Sequence, residues 1–273
     1  MSSSRRLAEA ARFRARLAAG TALDLLDVIA GRGDPLAPPR RLLGDDYSEF
    51  ERIGNEFLGH FVKLGGLEPH HRVLDIGCGL GRMAVPLTRY LTTAGSYEGF
   101  DVARLEIDWC RRTIGSRHPN FQFRVLDVRN ERYNPGGSAQ PTAWPFAGAT
   151  FDFAFAASVF THLRPDDASA YIAEAARVLR PGGTLFATFF LLDEETRPRI
   201  ERGDSHFSFR AATDGPAAAQ DAGSFEAAVA YDLGWVRDRL GSAGLDVTDL
   251  RHGYWSAADD HLTWQDVIVA RRR

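Results

Sequence analysis

Gly77, Gly79 and Gly81 lie in one short segment that joins an apolar run, residues 73–76, to a helix-forming run, residues 83–91. Glycine tolerates a positive φ and has no Cβ. The spacing therefore predicts a sharp strand-to-helix turn that a ligand can approach closely, with main-chain N–H groups facing it. Such a turn could hold a dinucleotide, a nucleoside triphosphate or another nucleotide-like ligand.

The residues around this turn separate these alternatives. A dinucleotide-binding turn would have a glycine where Arg82 stands, and a phosphate-binding loop would end in Gly-Lys-Ser or Gly-Lys-Thr, which is absent. Instead, the acidic Asp75 precedes the first glycine. This favours a ligand with positive rather than phosphate character.

Two further aspartates follow strand-like runs. Asp101 ends the run 96–100, about 20 residues after the glycine turn, where an acid can accept hydrogen bonds from both ribose hydroxyls. Asp127 ends the run 121–126 in the same way. Because the carboxyl ends of parallel strands form the ligand edge of an open α/β sheet, we expect these aspartates to lie at one site.

Five segments in this order resemble the class I S-adenosylmethionine-dependent methyltransferases. They are VLDIGCGLGR at 73–82, YEGFD at 97–101, VLDV at 125–128, FDFAFAASVFTHL at 151–163 and LRPGGTLFATFF at 179–190. The resemblance spans roughly residues 50–192, and its specificity comes from the combination and order of the motifs. It implies that the cofactor is S-adenosyl-L-methionine.

The resemblance also implies how the first motif would contact the cofactor. Gly77 and Gly79, with Cys78 between them, would pass beneath the methionine and ribose, and Asp75 would face the methionine end. Asp101 would hold the ribose hydroxyls. An aspartate that only caps the end of its strand is the alternative for Asp101.

The next motifs are expected to surround the adenine and the methionine. Asp127 would accept from the adenine amino group with the Val128 N–H nearby, although it could simply cap a turn. Val102 would flank the adenine or belong to the core. Ser158 would frame the methionine moiety through backbone contacts.

Methyl transfer from a sulfonium is an in-line displacement, so positioning supplies most of the acceleration, and a hydroxyl acceptor also needs a base. His162 follows the fourth strand-like run and is the candidate catalytic base. Its alternatives are a hydrogen bond to a backbone carbonyl or a cofactor contact. Asp166 and Asp167 are expected to cap the following helix rather than bind a metal, and we expect metal-independent transfer.

Alternating strand-like and helical runs predict an α/β fold with a parallel core. The last two strands, 246–251 and 265–270, are joined by a loop too short for a crossover helix, which predicts an antiparallel pair. The resemblance implies a Rossmann-like seven-stranded methyltransferase sheet of order 3-2-1-4-5-7-6, with strand 7 antiparallel.

The predicted organisation is an N-terminal helical extension, residues 1–45, and a methyltransferase domain, residues 46–273, with inserted substrate lids at 129–150 and 192–230. The helical approach to the first strand, with Tyr47 and Arg52, is expected to cover the methionine end of the cofactor. Four residues in or beside the insertions are the candidate substrate contacts, with ordinary lid packing as the alternative. They are Tyr133, Trp144, Phe190 and His206.

Composition limits the partners. The formal net charge is −3 and no basic patch is interleaved with aromatics, so we expect no nucleic-acid partner. No stretch approaches ~20 apolar residues, so we expect no membrane span. Two cysteines make no disulfide framework, which indicates a cytoplasmic protein. The N-terminal helices are a candidate surface for homo-oligomer formation.

Three functions stay open on this evidence. The leading hypothesis is a methyltransferase acting on a hydroxyl of a small molecule, a natural product or a glycan-type sugar. The second is a small-molecule N-methyltransferase, which a carboxylate cluster in the cavity would favour, and Asp193, Glu194 and Glu195 are the nearest cluster in the sequence. The third is a non-catalytic nucleoside-binding relative.

Overall fold

A computed structural model describes residues 34–43, 47–129, 134, 136–138, 143–209, 211–212, 215–221 and 224–273, with isolated positions 20, 23, 24 and 26. Most of the predicted N-terminal extension, and Tyr133, lie outside the described residues.

A seven-stranded sheet organises the chain. Its strands are β1 (Arg72–Ile76), β2 (Ser96–Asp101), β3 (Phe121–Val125), β4 (Phe151–Ala156), β5 (Leu179–Phe189), β10 (Leu245–Arg251) and β11 (Asp266–Arg272). The strand order is β3-β2-β1-β4-β5-β11-β10. Only β11 is antiparallel to its neighbours, β5 and β10. The predicted order, 3-2-1-4-5-7-6 when these strands alone are numbered, is confirmed, as is the antiparallel last pair.

Helices cover both faces of this sheet. They are α1 (Arg40–Leu43), α2 (Tyr47–Lys63), α3 (Ala84–Tyr90), α4 (Arg104–Cys110), α5 (Pro165–Val178), α6 (Thr196–Arg202) and α7 (Leu233–Ser242). A π-helical turn, Arg111–Gly115, extends α4. The helix-forming run predicted at residues 83–91 contains α3, and the helical approach predicted before the first strand is α2.

The central strand β4 shows why the sheet is buried on both faces. Its Phe153 and Phe155 belong to the apolar cluster on the α2 side, while Phe151 belongs to the cluster on the α5 side. Phe61 of α2 packs on Phe155 with ring centroids 4.4 Å apart. The apolar run at residues 153–156 of this parallel strand is therefore explained by two layers of helices.

A second, four-stranded sheet was not predicted. Its order is β6-β9-β8-β7, from β6 (Leu191–Leu192), β7 (Ala211–Ala212), β8 (Ala217–Ala219) and β9 (Val229–Asp232). These short strands belong mostly to the segment 192–230, which was expected to be a lid. The insertion therefore has secondary structure of its own.

In the described ranges, no helix combines the length and apolarity that crossing a bilayer would require.

Candidate active site

The glycine turn after β1 has the backbone conformation that its sequence predicts. Gly77, Gly79 and Gly81 have φ of 76°, 49° and 81°, in the left-handed region that favours glycine. Space is also limited. A Cβ on Gly77 would lie 2.5 Å from Val159 Cγ2, and one on Gly81 would lie 2.7 Å from Ile114 Cδ1. The turn therefore needs glycine for packing as well as for conformation.

The N–H groups of this turn do not all face the cavity, which corrects the sequence-based expectation. Those of Gly77 and Cys78 donate to Phe100 O at 2.9 and 3.0 Å, and that of Gly79 donates to Asp101 Oδ2 at 2.9 Å. The turn is thus bound to the end of β2. With these donors already used, the turn is poorly suited to cradling a pyrophosphate.

Asp101 connects the glycine turn after β1 with the loop that follows β2. Its Oδ2 accepts from Gly79 N, and its Oδ1 accepts from Ala103 N at 2.9 Å. A carboxylate has about four lone-pair positions, so two remain for ligand hydroxyls. Asp101 lines the cavity. The strand-end contact and a ribose-binding role are therefore compatible.

Asp75 lies on the floor of the site. It is buried, and Tyr97 donates to its Oδ2 at 2.6 Å. Burial raises the pKa of Asp75 to about 8, although the Tyr97 hydrogen bond opposes the change. Asp75 is thus largely protonated at neutral pH in the absence of a nearby cation. A cation bound above it would favour its charged form.

Glu106 is a cavity residue that the sequence analysis missed. It is in the first turn of α4 and lines the cavity beside the glycine turn, where a Cβ on Gly79 would lie 3.1 Å from Glu106 Oε2. Burial, with a smaller effect from Asp101, raises the pKa of Glu106 to about 7. The available signal was an acid five residues after Asp101, near the start of the following helical run.

These groups border one cavity of about 700 Å³ over the carboxyl ends of the sheet. This volume is well above the roughly 300 Å³ at which ligand pockets begin, so it can hold a nucleoside together with a second small molecule. Most of the predicted cofactor and catalytic residues line it: Asp75, Gly77, Cys78, Gly79, Asp101, Val102, Val128, Ser158 and His162.

Asp127 is the predicted cofactor residue that does not line the cavity. Its exposed side chain accepts from Asn134 Nδ2 at 3.4 Å. The neighbouring Val128 does line the cavity, but its N–H donates to Leu126 O at 3.0 Å. An adenine contact by Asp127 stays a prediction, and the turn contact is the one that the structure contains.

His162 is in a short 3-10 helix, Phe160–His162, after β4, and lines the cavity. Its Nδ1 lies 2.9 Å from the backbone oxygen of Glu226. A carbonyl only accepts, so Nδ1 carries the proton and the neutral ring has its lone pair on Nε2. The contact to a backbone carbonyl, one of the predicted alternatives, is present and sets the tautomer that a base would need.

Ser158 is held in an unusual conformation at the end of β4. Its φ is 60°, which is costly for a residue other than glycine. The Ser158 N–H donates to Thr188 Oγ1 at 2.8 Å, and its hydroxyl donates to Gln265 Oε1 at 3.0 Å. Ser158 and Gln265 both line the cavity. The strain is thus stabilised by a polar network that connects β4, β5 and the start of β11.

Helix α2 closes one side of the cavity with apolar side chains, as the predicted cover over the methionine end requires. Phe50, Ile53 and Phe57 line the cavity. Arg52 does not. It is exposed and forms ion pairs with Glu49 and with Glu56 of its own helix. The side chain of Tyr47 lies outside the described residues.

The three predicted substrate contacts that the structure describes do not line the cavity. Trp144 is in the core, where its backbone N–H donates to Glu174 Oε2 at 2.6 Å and its ring packs on Phe100. Phe190 is buried against Trp255 and Phe209, away from the cavity lining. Both rings are used in packing, the alternative given for them, and a substrate contact by Trp144 or Phe190 stays a prediction.

His206 is exposed beside the cavity and does not line it. Its ring lies 5.1 Å from that of Trp264, which does. Within the described part of the insertion 192–230, Glu226 is the residue that reaches the lining. The insertion therefore contacts the site mainly through the carbonyl that holds His162.

Three acidic predictions have different outcomes. Asp166 and Asp167 do not cap α5. The helix begins at Pro165 after Arg164 with no side-chain cap, and the two aspartates are in its first turn.

Asp167 lines the cavity, whereas Asp193 does not. Asp193 accepts from Thr196 N at 2.9 Å and contacts His252. The Asp193 to Glu195 triplet is therefore not a cavity cluster.

Comparison with known proteins agrees with this geometry. Residues 73–183 match a family model described as a methyltransferase domain. This part of the chain belongs to the class I S-adenosylmethionine-dependent methyltransferases. The cofactor of that family is S-adenosylmethionine.

Two curated relatives cover the same region. An O-methyltransferase of Pyrenophora dematioidea is 30% identical over 130 residues, which is 46% of this chain and 42% of that protein. The phthiotriol/phenolphthiotriol dimycocerosates methyltransferase 1 of Mycobacterium ulcerans (strain Agy99) is 38% identical over 129 residues, which is 46% of this chain and 39% of that protein. The aligned regions thus cover less than half the length of each of these relatives.

A solved structure supports the fold. The magnesium protoporphyrin IX methyltransferase of Synechocystis PCC 6803, solved with bound SAH, superposes with a TM-score of 0.53 at 17% identity, covering 86% of this chain and 92% of that one. At that identity the likeness establishes the architecture alone.

Proposed function

We propose that the protein transfers a methyl group from S-adenosylmethionine to a hydroxyl of a small-molecule acceptor, a natural product or a glycan-type sugar. The observation that carries this proposal is His162, which lines the cavity with its tautomer set by the Glu226 carbonyl. Methylation of a hydroxyl needs a proton acceptor in the cavity, within reach of the acceptor. The O-methyltransferase name of one relative agrees with this choice.

The cavity residues fit the cofactor. Asp101 keeps lone pairs for ribose hydroxyls, and the carboxyl groups of Asp75 and Glu106 provide a negative environment for a cationic ligand. The N–H groups of Gly77 and Gly79 are bonded within the protein, which disfavours a pyrophosphate ligand. When bound, the cofactor supplies an electrophilic methyl group on a positively charged sulfur.

The side chains then have separate tasks. Asp101 orients the ribose, Phe50 and Phe57 exclude water from the methionine side, and the constrained Ser158 shapes the surface beside the acceptor. His162 Nε2 takes the proton of the acceptor hydroxyl. Positioning and proton removal together provide the acceleration, without a requirement for metal.

Binding of the cofactor is tested with Asp101→Asn, since charge-assisted hydrogen bonds contribute about 1.5–3 kcal/mol. Calorimetry should show that the affinity for S-adenosylmethionine falls by about tenfold or more. Asp246→Asn is the matched control, because Asp246 is exposed and pairs only loosely with Arg273. Thermal melting checks that Asp101→Asn still folds. An unchanged affinity would contradict the assignment.

Two alternatives are separated by turnover. Asp167 gives the cavity a carboxyl group that an amine acceptor could use, so N-methylation is the second candidate. Formation of S-adenosylhomocysteine with hydroxyl compounds but not with matched amines supports O-methylation, and the reverse supports N-methylation. Cofactor binding without turnover on either panel would indicate a non-catalytic nucleoside-binding protein.

A further inference from the structure

The segment Thr263–Gln265, just before β11, forms part of the cavity wall. It is not in either predicted insertion, and the cofactor assignments leave it without a role. The hydroxyl of Thr263 donates to Gln265 O at 2.6 Å, so the indole of Trp264 and the amide of Gln265 are the groups of this segment left for a ligand.

The backbone of this segment is fixed from behind. Tyr254 N donates to Thr263 O and Trp255 N donates to Trp264 O, both at 3.0 Å. Gly253 permits this close approach, since a Cβ there would lie 2.5 Å from Trp264 O. A rigid backbone lowers the entropy cost of binding a ligand to its side chains.

Trp264 is 43% exposed although it has aromatic neighbours on its protein side. Its ring lies 5.1 Å from His206, 5.8 Å from Tyr254 and 5.9 Å from Phe207, between centroids. The indole is therefore held in position at the cavity wall while much of its surface stays open. Such a ring provides a large stacking surface with few rotamers to restrict.

Gln265 adds a directed donor. Its Oε1 accepts from Thr188 Oγ1 at 2.6 Å and from Ser158 Oγ at 3.0 Å. The 2.6 Å distance is typical of O–H···O and short for N–H···O, which favours this amide orientation. With Oε1 occupied, the Nε2 group has no partner among the residues that the structure describes, and it can donate to a ligand oxygen.

We propose that Trp264 and Gln265 form the acceptor subsite, and that the acceptor is a hydroxylated aromatic ring. The ring stacks on Trp264, and Gln265 Nε2 donates to an oxygen on the ring. A sugar would need several polar partners at this wall, whereas the wall offers an indole and one amide donor. This inference rests on the proposed methyltransferase function and names the acceptor class for the same site.

The probe is 2-naphthol, added to the enzyme saturated with S-adenosylhomocysteine and measured by equilibrium dialysis. We expect 2-naphthol to bind the wild-type complex, Trp264→Ala to weaken binding by about tenfold or more, and Trp264→Phe to give an intermediate value. Gln265→Ala should weaken it about fivefold or more. The non-planar 2-decalol should bind more weakly than 2-naphthol.

Gln122→Ala is the matched control, since Gln122 is exposed and donates to Pro119 O. It and both Trp264 variants should keep the wild-type affinity for S-adenosylhomocysteine. Absence of 2-naphthol binding to the wild-type complex, or equal binding to Trp264→Ala, would overturn the subsite. Failure of the wild type to bind S-adenosylhomocysteine would instead overturn the proposed function and, with it, the subsite.

Discussion

Tyr97 donates a 2.6 Å hydrogen bond to Asp75 on the floor of the cavity, where both side chains are buried. Burial raises the pKa of the Tyr97 hydroxyl far above its usual range, so this residue is always the donor. The same burial raises the pKa of Asp75 to about 8. The carboxyl group of Asp75 is therefore mostly neutral near pH 7 until a cation binds nearby.

This pair predicts how the stability of the ligand-free protein depends on pH. In the folded state Asp75 keeps its proton up to about pH 8, whereas in the unfolded state it loses it near 3.8. Between these values the folded state binds more protons, so the Asp75 contribution lowers the free energy of unfolding as pH rises, by up to about 1.4 kcal/mol per pH unit.

Asp75→Asn should therefore unfold with a flatter pH dependence between pH 4 and 8, measured by urea denaturation. Asp127→Asn, at an exposed position just after β3, should retain the wild-type slope. Parallel curves for the wild type and Asp75→Asn would show that the buried carboxyl does not keep its proton.

The glycine turn gives a second prediction. Gly77→Ala combines a φ of 76° with a Cβ placed 2.5 Å from Val159 Cγ2. Gly203→Ala has the same conformational cost, with a φ of 79°, but nothing lies within 4 Å of its Cβ. The control should lose about 1 kcal/mol of stability, and Gly77→Ala about 3 kcal/mol or more.

Denaturation gives both free energies, and calorimetry gives the affinity for S-adenosylmethionine. Gly77→Ala should also lose cofactor affinity, because Val159, which lines the cavity, must shift to make room for the new Cβ. Adding Val159→Ala should restore part of both losses. Equal destabilisation at positions 77 and 203 would mean that Val159 adjusts without cost.

The sequence predicted the parts of this site that local chemistry determines. The positive φ of Gly77 and Gly79, the strand-end position of Asp101 and the placement of His162 after β4 all follow from short motifs and the β/α alternation. Such motifs must have the same backbone wherever they occur in this fold. The strand order, in contrast, was implied by the resemblance to a known family, and the residues themselves indicated only the parallel core and the antiparallel last pair.

What could not be predicted depends on contacts between distant segments. Trp144 resembled a lid residue, yet Glu174 and Arg177 of α5 bind its backbone and its ring joins the core. Gln265 comes to the site only because β11 inserts beside β5 and brings it to Thr188. An aromatic or amide side chain gives no local signal of which neighbour it will meet.

His252 provides a third prediction, about the second sheet. Its Nε2 lies 3.2 Å from Asp193 Oδ2 and its Nδ1 lies 3.4 Å from the buried Asp266 Oδ1. Asp266, followed by Asp193 and Glu195, raises the pKa of His252 above 6.5 against the effect of burial. Asp266 also accepts from Leu191 N and Gly253 N, so this carboxylate connects β11 with β6, and His252 lies between it and Asp193.

A raised pKa means that this ion pair stabilises the fold fully below about pH 6.5 and that the contribution is lost as pH rises through the folded-state value. His252→Ala should lower the free energy of unfolding by about 1–3 kcal/mol at pH 6 and by less at pH 9. His70→Ala is the control, since His70 is 60% exposed. The same loss at both pH values would assign the effect to packing alone.

The catalytic assignment of His162 is tested by separating its two ring nitrogens. Nδ1 donates to the Glu226 carbonyl, and Nε2 carries the lone pair that would take a proton. His162→Ala removes both functions and should lower kcat by about 10²-fold with the affinity for S-adenosylmethionine nearly unchanged. His118→Ala is the control, on the loop before β3 and outside the cavity lining.

His162→Asn distinguishes a base from a positioning residue. Its amide can still donate to the Glu226 carbonyl, but asparagine has no basic nitrogen. If His162 is the base, His162→Asn should be as slow as His162→Ala, and added imidazole should restore part of the turnover of His162→Ala. If His162→Asn instead recovers to within tenfold of the wild type, the histidine acts by holding the insertion against the cavity, and proton removal must be assigned to another group.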